Sequence, residues 1–376
     1  MAEEEGERAS KRARTAPAPD DPRKPDSPTE ITKPSWRYVL RKTLREYSAD
    51  QVNDLAAALT YYGTLAVFPA MLAFVSILGI FGNAKKTTDG VLNLLGGLVP
   101  ASTLDAVKGP IDSLTHSPAA GIGLVVGILG ALLSASGYVR AFSRAMNRIY
   151  AIQEGRPFLR LRLVTLGLTV VVIPAAVIAA LLVVVSGLIA TQIGQVLGLG
   201  GAVLVVWNVV KWPVLVFIAI LLLAILYYAT PNIRQPKFRW MSMGSLVALL
   251  VWAIASVGFA FYAANFSKYN TTYGSIGGII IFLLWVWISN NALLFGAELD
   301  SEIERGRELQ AGIKAEETLQ LPPRDTKQSD KKAEQHAKDV RIGRELRITR
   351  GAEDTKSKRR RRQKSAKTKN KQEAVD

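Results

Sequence analysis

The chain contains no cysteine, and only two histidines, His116 and His336, occur in its 376 residues. The first absence excludes disulfides, thiolate catalysis and cysteine-ligated metals. The second leaves any histidine-based zinc or nucleophile site to be built almost entirely from carboxylates. No GxxxxGK[ST] loop occurs, which excludes an ATP-powered pump within this chain. The amino-terminal stretch MAEEEGERASKRARTAPAPDDPRKPDSP has no apolar core of the kind a cleavable signal peptide carries. It is charged and proline-rich, so a retained, disordered segment is expected, with the first apolar span acting as the insertion signal. Acidic residues are in the minority: 31 Asp and Glu stand against 47 Lys and Arg, a formal net charge of +16.

What the chain has in quantity is long apolar runs. A mean hydropathy of +0.17 coexists with a net charge of +16 only because charge and apolarity are segregated. Uncharged gaps run from Asp54 to Lys85, Asp112 to Arg140, Arg162 to Lys211, Lys211 to Arg234, Arg239 to Lys268 and Lys268 to Glu298. The 48 residues between Arg162 and Lys211 would make about 70 Å of helix, more than twice a hydrocarbon core of about 30 Å. That run must therefore fold back or leave the membrane, and GQVLGLGG (194–201) is the natural break. Six spans result, near 55–82, 118–139, 163–190, 212–231, 240–266 and 274–297. The expected fold is an all-α integral membrane protein, a bundle of six transmembrane helices with disordered cytoplasmic tails. Its expected units are a disordered tail (1–34), the membrane domain (35–305) and a basic, mostly disordered tail (306–376).

Positive charge near short loops is retained on the cytoplasmic side. Seventeen Lys and Arg lie before the first span, in the second–third and fourth–fifth connections and just after the sixth, against five in the opposite connections. Both termini are therefore expected in the cytoplasm. Trp207, Trp212, Trp240, Tyr269 and Tyr273 fall at span ends, where amphipathic rings meet headgroups. The long exterior segment 84–117 is expected to hold short surface helices. After about Arg305 the chain turns polar, and Lys356–Lys371 packs ten basic residues into sixteen. That run is read as resting on anionic phospholipid headgroups, each cation contributing about 1 kcal/mol. Nucleic acid is not the expected partner, since no folded nucleic-acid module or interleaved aromatics accompany the run.

Gly123, Gly127, Ala131 and Ala135 repeat at four residues in the second span, as do Gly274 and Gly278 in the sixth. Small stripes let helix backbones approach closely, here read as packing within the bundle rather than between chains. Pro69 and Pro174 kink their spans, in the service of either a substrate path or plain packing. Polar groups inside spans are more informative, because hydrocarbon penalises them unless they are partnered. Asn291 and Glu298 share one face of the sixth span with Asn290 beside them, and Asp54 and Tyr61 share a face of the first with Tyr62 alongside. Arg140 closes the second span at the same depth. Asp54, Tyr61, Tyr62, Arg140, Asn290, Asn291 and Glu298 are thus a candidate polar cavity, with helix-to-helix stapling as the alternative.

Three ordered motifs resemble the YihY/BrkB family of bacterial inner-membrane proteins. They are DLAAALTYYGTLAVFPAMLAF (54–74), GYVRAFSRAMNRIYAIQEGRPFLRLR (137–162) and YGSIGGIIIFLLWVWISNNALLFGAELDSEI (273–303). The resemblance runs from about Ser35 to Arg305. It implies six transmembrane helices, a plasma-membrane location and a link to envelope integrity. A transporter or flippase-like protein for an envelope lipid precursor or small solute is the leading expectation, with no cofactor or metal. A non-transporting membrane scaffold is the alternative. The ribonuclease label once attached to the family is a minor one, and no enzyme activity is expected.

Overall fold

The computed structural model describes residues 10–81, 120–184, 201–236, 242–266 and 270–351; for 67–81, 120–128, 131, 180–181, 184, 201–202, 264–266 and 270–276 among them, only the backbone is described. Eight α-helices of this set position the site: α1 (Lys33–Ala49), α2 (Val52–Phe81), α3 (Ala120–Ile149), α4 (Phe158–Val184), α5 (Gly201–Ala229), α6 (Met243–Phe266), α7 (Asn270–Gln310) and α8 (Lys327–Thr349). No strand is present among the described residues beyond one isolated bridge, Ile233 to Pro323.

Four helices are long and apolar enough to cross a membrane, over Phe158–Ala179, Val203–Ala229, Met243–Ala263 and Gly277–Gln310. Their flanks stay apolar where they are exposed, with Leu163, Val205, Phe217, Ile254 and Phe261 on the surface. Water would penalise that surface and lipid does not. The expected first and second spans fall on α2 and α3, whose outer connection, 82–119, lies outside the described residues together with the predicted surface helices. The predicted break at 194–201 lies almost wholly outside them too, as do the side chains of Gly123, Gly127 and Ala131.

α7 organises the bundle. Its 41 residues make about 62 Å of helix, so its charged carboxyl-terminal part must project beyond the hydrocarbon. It packs along α6, α1, α2 and α3, while α2 pairs with α3 and α4 lies between α3 and α5. Contact with α6 is made backbone to backbone at Gly244 and Gly296. A Cβ built on Gly296 would lie 2.6 Å from the Ala248 Cβ, 2.9 Å from the Tyr227 hydroxyl and closer still to the Gly244 carbonyl oxygen. The start of α6 is held by a reciprocal cap: the Ser245 N–H donates to the Ser242 hydroxyl, and the Ser242 N–H to the Ser245 hydroxyl, both at 3.0 Å. A third amide, Gly244 N–H, donates across to the Asp300 carboxylate of α7 at 2.7 Å. At the same end, Gln51 (φ 55°) takes the left-handed conformation that turns α1 sharply into α2.

The disorder expected of both tails does not hold for residues 10–34 and 306–349. The Lys24 ammonium is buried and bridges Glu304 (2.8 Å) and Glu308 (3.4 Å) of α7. Arg12 donates to the Ala151 carbonyl at 2.8 Å, and Arg324 to the carbonyls of Ile233 and Tyr228, each at 2.6 Å. Leu319 and Leu321 are buried in the same apolar cluster as Leu59, Phe142 and Leu294. Composition registered these charges as solvated; the fold pairs Lys24 with carboxylates and sets Arg12 and Arg324 on backbone carbonyls. The basic run 356–371 lies outside the described residues.

Candidate functional site

The polar residues picked out from sequence are distributed over three settings. Asn290 is buried; its carbonyl accepts from the Tyr138 hydroxyl (2.8 Å) and its amide donates to the Thr60 hydroxyl (3.2 Å). It thereby ties α7 to both α3 and α2. The Asn291 carbonyl accepts from the Tyr47 hydroxyl of α1 at 2.6 Å, and its amide donates to the Trp287 carbonyl at 2.9 Å. Tyr47 also reaches Asn53, and the Trp287 ring N–H donates to the Asn53 carbonyl. Both side-chain carbonyls and the Asn290 amide are therefore engaged in bonds that join helices, whereas the Asn291 amide bonds within α7.

Tyr61 is exposed and Tyr62 half-buried, with the Arg144 guanidinium 5.6 Å from the Tyr62 ring centroid. Arg140 donates back to the Ser136 carbonyl of its own helix at 3.3 Å. Asp54 is exposed on the first turn of α2, and among the described residues it forms no ion pair with Arg140. Glu298 stands apart: its side chain is fully buried and neither carboxylate oxygen has a hydrogen-bond partner.

A cleft of about 230 Å³ lies on the other side of α7. The end of α5 contributes Tyr227 and Tyr228, the start of α6 contributes Ser242 and Leu246, and α7 contributes Asp300 and Glu304, with Tyr150 from the turn after α3. Tyr227 is fixed by its hydroxyl, which donates to the Leu293 carbonyl, and by its ring, stacked on Phe142 with centroids 6.2 Å apart. Tyr228 presents one face to the Arg324 guanidinium at 5.3 Å. Glu304 is held by Lys24 and Arg307, and Asp300 by the amino terminus of α6.

The cleft joins apolar and aromatic walls to a carboxylate-bearing floor at the level where α5 ends and α6 begins, which is headgroup depth for helices that span a membrane. Sequence reasoning missed it because its parts come from six separate segments, Pro28 and Leu321 among them. The adjacent pair Tyr227–Tyr228 at a span end was the local signal; Asp300, which lines the same cleft, lies two spans later.

Residues 43–319 match the family described as Virulence factor BrkB. YfkH of Bacillus subtilis (strain 168), described as ribonuclease-like, is 28% identical over 270 residues, covering 72% of this chain and 96% of that protein. A UPF0761 membrane protein of Alkalilimnicola ehrlichii is 33% identical over 266 residues, covering 69% of this chain and 56% of the relative. For the UPF0761 membrane protein RSc1559 of Ralstonia nicotianae the figures are 28% over 269 residues, 71% and 58%. The chain thus spans little more than half the length of those two UPF0761 proteins. No solved structure matches.

Proposed function

The chain belongs to the BrkB family of membrane proteins, and on that premise we propose that it is a flippase-like transporter of an envelope lipid precursor or small solute in the bacterial inner membrane. The cleft carries the reading. A site with tyrosine and aliphatic walls and a polar floor, set where spans meet headgroups, suits an amphipathic molecule whose polar end is held while its apolar part stays in lipid. The four apolar helices, with α2 and α3 as two more, support a six-span bundle. The positive-charge asymmetry supports cytoplasmic termini. The basic run 356–371 then faces anionic phospholipid headgroups on that side.

A second reading, a scaffold that positions envelope machinery, is favoured by α1, whose outer face exposes Leu40 and Leu44 beside Arg37, Arg41 and Arg45. The nuclease reading rests on the name of the Bacillus protein alone. Lipid and metabolite profiling of a deletion strain separates these readings. The transport reading expects one precursor to accumulate and to fall back on complementation with wild type, but not with Leu246→Trp, which fills the cleft. An unchanged profile beside a mislocalised envelope protein would favour the scaffold.

A further inference from the structure

Charge around the upper part of the projecting end of α7 is almost completely paired, and one group is left over. Glu46 pairs with Lys42 within α1, Asp50 with Arg148 at 3.5 Å, and Glu302 with Arg305 at 2.9 Å. Glu298 lies among these groups, with Asp50, Glu302 and Glu46 the acidic groups that act on it electrostatically, and it forms no ion pair among the described residues. Arg305, the cation that acts on it electrostatically, is committed to Glu302 and to the Ala315 carbonyl at 3.0 Å. From the turn after α3, buried Tyr150, on which Glu298 acts electrostatically, adds to the surroundings. Both Glu298 oxygens are sealed from solvent and lack partners.

We propose that Glu298 is a proton-binding site, closed over by the turn between α1 and α2. An ionised carboxylate sealed from bulk solvent, with neither a protein donor nor a cation, carries a desolvation cost so large that taking up a proton is the cheaper state. Glu298 follows the last uncharged stretch of α7, so the proton comes and goes from the aqueous side of the bundle. The element assigned to closure is the Asp50–Gln51 turn, where Gln51 holds its left-handed backbone and Asp50, which acts electrostatically on Glu298, ends α1. Lifting α1 from α7 would hydrate Glu298, and release of its proton would favour that lifted form, since the charged group prefers water. On the transport reading, which this coupling step rests on, binding and release of one proton would alternate closed and open forms of the end that also holds the cleft.

The test is infrared spectroscopy of the full-length protein in nanodiscs at pH 8, where ordinary carboxyl groups are ionised. A carbonyl band of a neutral carboxylic acid is expected in the wild type, lost in Glu298→Gln and retained in Asp50→Asn. Absence of the band from the wild type overturns the proposal, whether or not the variants fold. So does its persistence in Glu298→Gln. If the band is absent and sodium raises the melting temperature of wild type but not of Glu298→Gln, the site holds a metal cation and the proton assignment is wrong. Precursor profiling judges transport separately, so either idea can fail while the other stands.

Discussion

Gly296→Ala places one methyl group where α6 and α7 touch through their backbones. The added Cβ would overlap the Gly244 carbonyl, lie 2.6 Å from the Ala248 Cβ and 2.9 Å from the Tyr227 hydroxyl. Normal contact needs about 3.5–4.0 Å between carbons, so the helices must separate by on the order of 1 Å. Backbone cannot rotate aside as a long side chain can. Overpacking a tight site costs about 1–3 kcal/mol, and the upper end applies here because separation also stretches the bond from Gly244 N–H to Asp300. Lipid supplies no compensating hydrophobic drive between the helices. Thermal unfolding of the purified protein, followed by tryptophan fluorescence, reports on the same seam, where the Trp252 and Trp285 ring centroids are 6.4 Å apart. Gly258→Ala is the control: its Cβ meets nothing within 4 Å, so it should be neutral or stabilise by up to about 1 kcal/mol. Equal melting temperatures for Gly296→Ala and Gly258→Ala would refute the close crossing.

Burial, partly offset by Arg148, raises the Asp50 carboxyl to about 6. Because the folded state binds this proton more tightly than the unfolded chain, the resulting stability is present below pH about 4 and lost as pH rises through 6. Asp50→Asn should therefore raise the melting temperature at pH 8, by about 1–3 kcal/mol in stability, and lose that advantage at pH 4; a lower melting temperature at pH 8 would show the Arg148 pair to dominate. Lys24→Met leaves Glu308 without its buried cation and Glu304 with Arg307 alone, a loss of about 3–5 kcal/mol at that contact, and should speed tryptic cleavage near Arg23. Unchanged cleavage would mean the amino-terminal segment is not docked. Asn291→Leu removes a bond to Tyr47 and should lower stability by about 0.6 to 2 kcal/mol while still complementing a deletion strain. Failed complementation with unchanged stability would return this amide to a cargo path.

The membrane character of the chain was legible because it depends on composition along single helices: uncharged runs and flanking cations are local properties. The interhelical bonds of Asn290 and Asn291 were only half legible. Their depth follows from sequence, but their partners Tyr138, Thr60 and Tyr47 belong to three other helices. Packed tails were not legible, since Lys24 and Glu308 each look like solvated charge until the fold brings them together across 284 positions. Glu298 shows the reverse. Sequence placed it in a polar cluster with Asp54 and Arg140, whereas the neighbours it meets, Glu46, Asp50 and Glu302, are paired elsewhere and leave it alone.

Native mass spectrometry of lipids retained by the full-length protein tests the cleft as a cargo site most directly. Wild-type protein should carry a lipid-like envelope precursor in about one copy per chain, and Leu246→Trp should lose it while keeping the same loosely bound bulk phospholipids. Identical lipid complements on the two proteins would contradict the account.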